Sequence, residues 1–172
     1  MKALTIWQPW ASLIMVAAKP YEFRPKSYLR YVGAPAIGER IVIHAGVRPV
    51  KPAEIEDLLS RLDTEDHTTG LIPAIARQVL ERCRAAAKYQ ALPLGCGLGT
   101  AVLGKPRNAG VLFGGAVADS DRQAADEEAY NWAWPLESIH PFDAPVPMRG
   151  AQGFWRWPES TAESGACNHP LR

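Results

Sequence analysis

The sequence contains few cysteines and no long apolar run. Its 172 residues include only Cys83, Cys96 and Cys167, and no two of them form a CxxC pair. This pattern argues against a disulfide framework and against a cysteine zinc site, and it indicates a reducing compartment. The apolar stretches are far shorter than the roughly 20 residues that a membrane span requires, and the N-terminus lacks the features of a signal peptide. We therefore expect a soluble, cytoplasmic protein.

Several motifs of catalysis and metal binding are also missing. The sequence has no HExxH, no GxSxG and no set of histidines and carboxylates with metal-ligand spacing. Gly95, Gly97 and Gly99 precede a strand pattern instead of a helix, so they lack the context of a phosphate-binding loop and are interpreted as turn and bulge positions. We expect neither a metal nor a cofactor, and a serine hydrolase with a nucleophile elbow is disfavoured.

Charge is unevenly distributed along a chain whose formal net charge is +1. Residues 1–51 carry eight basic and two acidic side chains, whereas residues 118–143 carry seven acidic side chains and one basic side chain. A basic half beside a cleft would attract phosphate or nucleotide. The two charged surfaces could equally pair with each other or remain solvated.

Apolar spacing predicts one α+β domain. Strands are predicted at 2–6 and 39–45, and helices from Pro9 to Lys19, over 53–62 and from Pro73 onwards. Further short apolar runs, at 99–103, 111–118, 132–136 and 154–157, lie between glycine-rich turns and predict a small barrel or a strongly curved sheet. The domain is expected to span 1–158, followed by a poorly ordered tail at 159–172.

The first candidate site residues are Lys19, Glu22 and Arg24. Lys19 precedes Pro20, so we expect it to end the first helix, and Glu22 and Arg24 would share one face of an extended segment. A lysine and a glutamate that are partly desolvated together can be tuned for proton transfer. The same spacing also suits an ordinary salt bridge with Arg24 as a third member.

Aromatic and polar residues nearby could bind a nucleobase. Trp7 and Tyr21 offer flat stacking surfaces, and the amide of Gln8 can both donate and accept hydrogen bonds toward a base edge. Trp10 also belongs to this corner, although it lies on the apolar stripe of the helix, so Trp7 is the better candidate. His44, near the end of a predicted strand, could be a general base or a polar wall, or simply a structural histidine.

These motifs resemble those of the ASCH domain, a branch of the PUA-like superfamily. The resemblance rests on Trp7-Gln-Pro-Trp-Ala11, on Lys19-Pro-Tyr-Glu-Phe-Arg24 and on Ile41-Val-Ile-His-Ala45, and the closing Gly150-Ala-Gln-Gly-Phe-Trp155 is similar to the end of the same domain. It implies a curved β-barrel of five or six strands with flanking helices. It also implies a cleft lined by Lys19, Glu22 and Arg24.

ASCH domains are associated with RNA binding, with cleavage of single-stranded RNA and, in small bacterial members, with hydrolysis of N4-acetylcytidine to cytidine and acetate. Those amidohydrolases use a lysine, a hydroxyl residue three positions later and a carboxylate from elsewhere. Here Glu22 stands in the hydroxyl position and Ala18 replaces the usual glycine. This departure leaves the hydroxyl role unassigned and suggests that Glu22 itself supplies the carboxylate.

Two functional hypotheses follow from the sequence, beside a purely structural interaction domain, which fits the composition but leaves Lys19, Glu22 and Arg24 without a task. The first is a metal-independent amidohydrolase that acts on N4-acylated cytosine nucleosides, with Lys19, Glu22 and Arg24 as catalytic residues. The second is a single-stranded RNA-binding module or ribonuclease that uses the basic N-terminal half for phosphates. The near-neutral net charge of the whole chain favours the first hypothesis.

Overall fold

The computed structural model describes residues 1–24, 35–113 and 132–158. Its strands are β1 (Lys2–Ile6), β2 (Tyr21–Arg24), β3 (Arg40–Ala45), β4 (Cys96–Leu103), β5 (Arg107–Asn108), β6 (Trp132–Pro147) and β7 (Phe154–Arg156). Its helices are α1 (Trp10–Met15), α2 (Pro52–Asp63), α3 (Pro73–Ala85) and α4 (Ala109–Phe113), with single 3-10 turns at His67–Thr69 and Ala87–Tyr89. The candidate site residues Lys19, Glu22 and Arg24 therefore lie in β2 and in the short segment that joins it to α1.

The strands form one curved, mixed sheet in the order β2-β6-β4-β3-β1-β7, with β5 paired to β6. Strand β1 is parallel to β3, and the other pairings are antiparallel. The predicted α+β class with a curved sheet is confirmed. The described residues contain six strands along the sheet and the short β5 beside it, and within the same ranges no pairing joins β2 to β7, so the sheet is a curled half-barrel.

Alternation along the strands places apolar side chains on both faces of the sheet. The main core contains the strand residues Leu4, Ile6, Ile41 and Ile43, together with side chains of α1, α2 and α3. The intervening residues Ala3 and Val42 pack with Trp157 in a second cluster. Since successive strand residues point to opposite faces, the two clusters lie on opposite sides of the same sheet.

Helices α2 and α3 follow the predicted 3.6-residue spacing. Their buried residues are Ile55, Leu58, Leu59, Leu62, Ala76, Val79, Leu80 and Cys83. Burial also raises the pKa of the Cys83 thiol, although Arg82 acts in the opposite direction, so the prediction that Cys83 serves packing is confirmed. Within the described parts of the chain, every helix is too short or too polar to cross a membrane.

Two details of the predicted fold are wrong. Helix α1 begins after Pro9, which is its N-cap, and ends at Met15, so Lys19 does not lie at the helix C-terminus. Residues 111–113 of the strand predicted at 111–118 belong instead to α4, and the remainder of that segment lies outside the described residues, as does the predicted tail at 159–172. The interpretation of the glycines as turn and bulge positions is confirmed. Gly95 adopts a left-handed turn conformation with φ 62°, and the ladder between β4 and β6 shifts register between Gly97 and Gly99.

Candidate functional site

A tight turn after α1 directs Lys19 into the protein interior. Ala17 adopts a left-handed conformation with φ 59°. The amide of Ala18 donates to the carbonyl of Leu13, and the amide of Ala17 donates to that of Ile14. These two bonds form a Schellman motif, in which the left-handed position is usually glycine. The chain therefore reverses direction at Ala17, two residues before Lys19, and β2 begins two residues after it.

Lys19, Glu22 and Arg24 form a compact ionic cluster. The Lys19 Nζ lies 3.1 Å from Glu22 Oε2, and Arg24 Nη2 lies 2.7 Å from Glu22 Oε1. The side chain of Lys19 is 0% exposed and that of Glu22 is 3% exposed, whereas Arg24 is 20% exposed. Lys19 Nζ also donates to the Tyr21 carbonyl at 2.5 Å. The predicted approach of amine and carboxylate, screened from bulk water, is therefore observed, whereas the cleft that they are expected to line stays a prediction.

The electrostatics of this cluster keep Glu22 ionised. Burial by itself raises the pKa of Glu22, because it penalises the charged form of the carboxyl group. The positive charges of Arg24 and Lys19, together with the hydrogen bond from Lys19, outweigh that effect and lower the pKa below its ordinary value. The carboxylate is therefore buried yet charged at neutral pH, and its lowered pKa makes it a weaker base than an ordinary glutamate.

Aromatic rings surround the amine. Lys19 Nζ lies 4.7 Å from the ring centroid of Phe23 and 5.8 Å from that of Trp10. Tyr21 and Phe23 each make an edge contact with Phe113, at 5.7 and 6.0 Å between ring centroids. The Tyr21 ring packs against Phe113, and only the Tyr21 carbonyl contacts Lys19, so the predicted stacking role of Tyr21 stays a prediction. Trp10 contacts the amine from the buried core.

Trp134 is a site residue that sequence reasoning missed. It faces Glu22 directly in the β2–β6 ladder, so both side chains lie on the same face of the sheet. The residue is 2% exposed, and its indole N–H has no hydrogen-bond partner among residues 1–24, 35–113 and 132–158. Buried donors are nearly always bonded, so a lone indole N–H on the face that carries Glu22 is a candidate donor for a substrate oxygen.

Gln8 and Trp7 contact residues outside the Lys19, Glu22 and Arg24 cluster. The Gln8 amide donates to Ser12 Oγ at 2.8 Å and to the Pro93 carbonyl at 2.9 Å, and its oxygen accepts from the Ser12 amide at 3.0 Å. Gln8 is fully buried and both amide hydrogens are used, so this geometry leaves none for a base edge. Trp7 is 42% exposed, as its predicted role requires, but Arg48 covers one ring face at 4.4 Å.

His44 belongs to a separate network on β3. Trp155 Nε1 donates to Thr5 Oγ1 at 3.0 Å, and Thr5 Oγ1 lies 3.3 Å from His44 Nδ1. The other nitrogen, Nε2, lies 2.9 Å from the Met148 carbonyl, which can only accept, so Nε2 carries the hydrogen. The structure therefore brings Lys19, Glu22, Arg24, Tyr21 and Trp10 together but places His44 in a network that joins β1, β3 and β7.

Comparison with solved structures gives similar folds at low identity. The chain is similar to the ASCH protein of Zymomonas mobilis, with 18% identity, 92% of this chain and 88% of that chain covered, and a TM-score of 0.48. Single-substitution variants of the same protein, one serine to alanine and one tyrosine to phenylalanine, give 17% identity with TM-scores of 0.48 and 0.46. Each again covers 92% of this chain, with 89% and 91% of the other chain. At this identity the likeness concerns the fold alone, and neither family models nor curated proteins give a match.

Proposed function

We propose that the protein is an amidohydrolase that removes the acyl group from N4-acylated cytosine nucleosides, such as N4-acetylcytidine. One observation carries the proposal: a fully buried lysine amine is 3.1 Å from a carboxylate whose charge Arg24 maintains. The same sheet face holds the Trp134 indole N–H, which has no partner in the part of the chain that the structure describes. Such a group of donors and acceptors suits an amide carbonyl and an exocyclic amine. The partly exposed ring of Tyr21, next to Glu22 in the sequence, supplies a flat surface for the pyrimidine in this proposal.

In this mechanism Glu22 and Lys19 exchange protons with the reacting groups. Glu22 takes a proton from water, and the water oxygen attacks the acyl carbon to give a tetrahedral intermediate. The Lys19 ammonium stabilises the oxyanion and gives a proton to N4 as the carbon–nitrogen bond breaks. Lys19 then recovers a proton from Glu22, which leaves cytidine and the carboxylic acid as products.

Arg24 and Trp134 have supporting roles in the proposal. Arg24 holds Glu22 Oε1, which leaves Oε2 oriented toward Lys19. The Trp134 N–H donates to the acyl oxygen, where negative charge develops. A single donor of this kind typically contributes about 2.7–4 kcal/mol to transition-state stabilisation, or a factor of roughly 100 to 1,000 in rate.

The test is hydrolysis of N4-acetylcytidine by the purified protein, followed by ultraviolet absorbance. Lys19→Met and Glu22→Gln should each lower kcat by at least about 100-fold, in keeping with the loss of a general acid or base. Asp66→Asn is the matched control, because Asp66 also pairs with an arginine, Arg61, but lies outside the cluster. Turnover that is absent from wild type, or undiminished in Lys19→Met, would overturn the proposal.

Salt dependence distinguishes the RNA hypothesis from the hydrolase proposal. Several basic side chains of the N-terminal half are paired with carboxylates, among them Lys2 with Glu39 and Arg48 with Glu54. A nucleoside hydrolase should lose little activity between 50 and 200 mM salt, whereas binding that depends on phosphate contacts should fall steeply. Tight, salt-sensitive binding of a single-stranded oligonucleotide, without nucleoside turnover, would favour the RNA hypothesis.

A further inference from the structure

A cavity lies between α1, α3 and the segment before β4. Its volume is about 330 Å³, which is near the lower end of the usual range for small-molecule sites. Seven of its nine lining residues have apolar side chains; the full lining is Ser12, Met15, Val16, Val79, Arg82, Ala91, Leu92, Pro93 and Leu98. It contains one charged side chain, Arg82, and one hydroxyl group, that of Ser12. None of the residues in the Lys19 cluster lines it.

Gln8 fixes the direction in which Ser12 can donate. Only one orientation of the Gln8 amide allows its oxygen to accept from the Ser12 amide while its nitrogen donates to the Pro93 carbonyl. In that orientation the second amide hydrogen goes to Ser12 Oγ, so Ser12 Oγ is an acceptor in this contact. Within the described residues its own hydrogen has no acceptor. A wall residue of the cavity thus presents a donor that a buried side chain holds in place.

Arg82 supplies a positive charge to the same cavity that the Ser12 hydroxyl lines. Along α3, Arg77 pairs with Asp63 at 2.7 Å and Arg84 pairs with Glu81 at 2.5 Å. Arg82 forms no ion pair with any carboxylate of residues 1–24, 35–113 or 132–158, and none of the nine lining residues is acidic. A guanidinium and a hydroxyl hydrogen on an otherwise apolar wall are complementary to a carboxylate attached to an apolar group.

We infer that this cavity binds a small monocarboxylate with an aromatic or short aliphatic body. The Arg82 guanidinium and the Ser12 hydroxyl donate to the carboxylate oxygens, and Val79, Leu92 and Leu98 contact the apolar body. The volume, near the lower end of the range for ligand sites, suits a small ligand of this kind. This inference does not depend on the hydrolase proposal, and its readout is binding alone.

The experiment is calorimetric titration of the wild-type protein with sodium benzoate, benzyl alcohol and inorganic phosphate. We expect saturable benzoate binding at concentrations up to about 10 mM, and at least tenfold weaker binding of benzyl alcohol, which has the same ring without the charge. Absence of benzoate binding overturns the inference. Phosphate that competes as well as benzoate overturns the assigned ligand class.

Variants locate the binding site. Arg82→Gln should weaken benzoate binding at least tenfold, because a charge-assisted hydrogen bond is lost. Arg84→Gln, on the same helix but outside the cavity, should change it less than twofold. Val16→Trp should block the cavity from an exposed position, and it disturbs the core less than a substitution of Leu98. Benzoate affinity that is unchanged in both Arg82→Gln and Val16→Trp would overturn the assignment.

Discussion

Replacing the buried carboxylate of Glu22 by an amide should destabilise the protein substantially. Both Glu22 oxygens accept from cations in the folded state, Lys19 at 3.1 Å and Arg24 at 2.7 Å. Glu22→Gln keeps the shape of the side chain but removes its charge, and the amide nitrogen must then face one of two donors. Removing one partner of a buried ion pair costs about 3–5 kcal/mol.

The lower end of that range applies here. Arg24 is 20% exposed and can be hydrated, and Lys19 keeps its hydrogen bond to the Tyr21 carbonyl. We therefore expect a loss of about 3 kcal/mol in the free energy of unfolding, which for a chain of this size lowers Tm by roughly 6–12 °C. Urea unfolding and thermal unfolding, both followed by circular dichroism, measure the two quantities.

The pH dependence of the unfolding free energy gives a second, independent measure of what the ionised Glu22 contributes. The pKa of Glu22 is lower in the folded protein than its ordinary value of 4.5, which approximates the unfolded chain. The stabilisation is therefore fully present above about pH 4.5 and is lost as the pH falls through the folded-state value. The difference in stability between wild type and Glu22→Gln should be constant from pH 8 to about pH 5 and should shrink below that. A difference under about 1 kcal/mol at pH 7, or one that grows on acidification, would refute the reasoning.

Three further outcomes are expected. Gly99→Ala should cost about 3 kcal/mol in urea unfolding, because a methyl group there would lie 2.5 Å from the His140 carbonyl oxygen, which belongs to the backbone and cannot rotate away. Asp66→Asn should cost about 1 kcal/mol at pH 7, a difference that disappears between about pH 4 and pH 2, since the Thr68 and Arg61 contacts lower the pKa of Asp66 to about 2. His44→Gln should retain kcat for N4-acetylcytidine within about twofold while lowering stability by about 1–2 kcal/mol, because His44 bonds to the backbone of Met148 and to Thr5.

Local patterns predicted the elements of the fold well. The strand at Lys2–Ile6 was predicted with its observed bounds, because alternation of apolar residues depends only on neighbours in the sequence. The end of α1 could not be predicted in the same way. The usual signal for a left-handed helix end is glycine, and here alanine occupies that position at Ala17.

The candidate site was only partly predictable, for a topological reason. Lys19, Glu22 and Arg24 lie within six residues, so an extended segment after a turn brings them together. Trp134 reaches Glu22 only through the pairing of β2 with β6, which joins residues more than 100 positions apart. No periodicity within one segment contains that information. The hydrogen bond from the Gln8 amide to the Pro93 carbonyl likewise joins residues far apart in the sequence.

Stability alone is a weak explanation for the buried cluster. Replacing a buried ion pair by apolar side chains of similar volume is often neutral or even stabilising, because both charges lose hydration on folding. Lys19 already packs against the rings of Trp10 and Phe23, so methionine can fill its place. The double variant Lys19→Met/Glu22→Leu should therefore be more stable than Glu22→Gln alone. If it is stable and also inactive toward N4-acetylcytidine, the pair serves the chemistry and not the fold; if the double variant is less stable than either single variant, the cluster is structural.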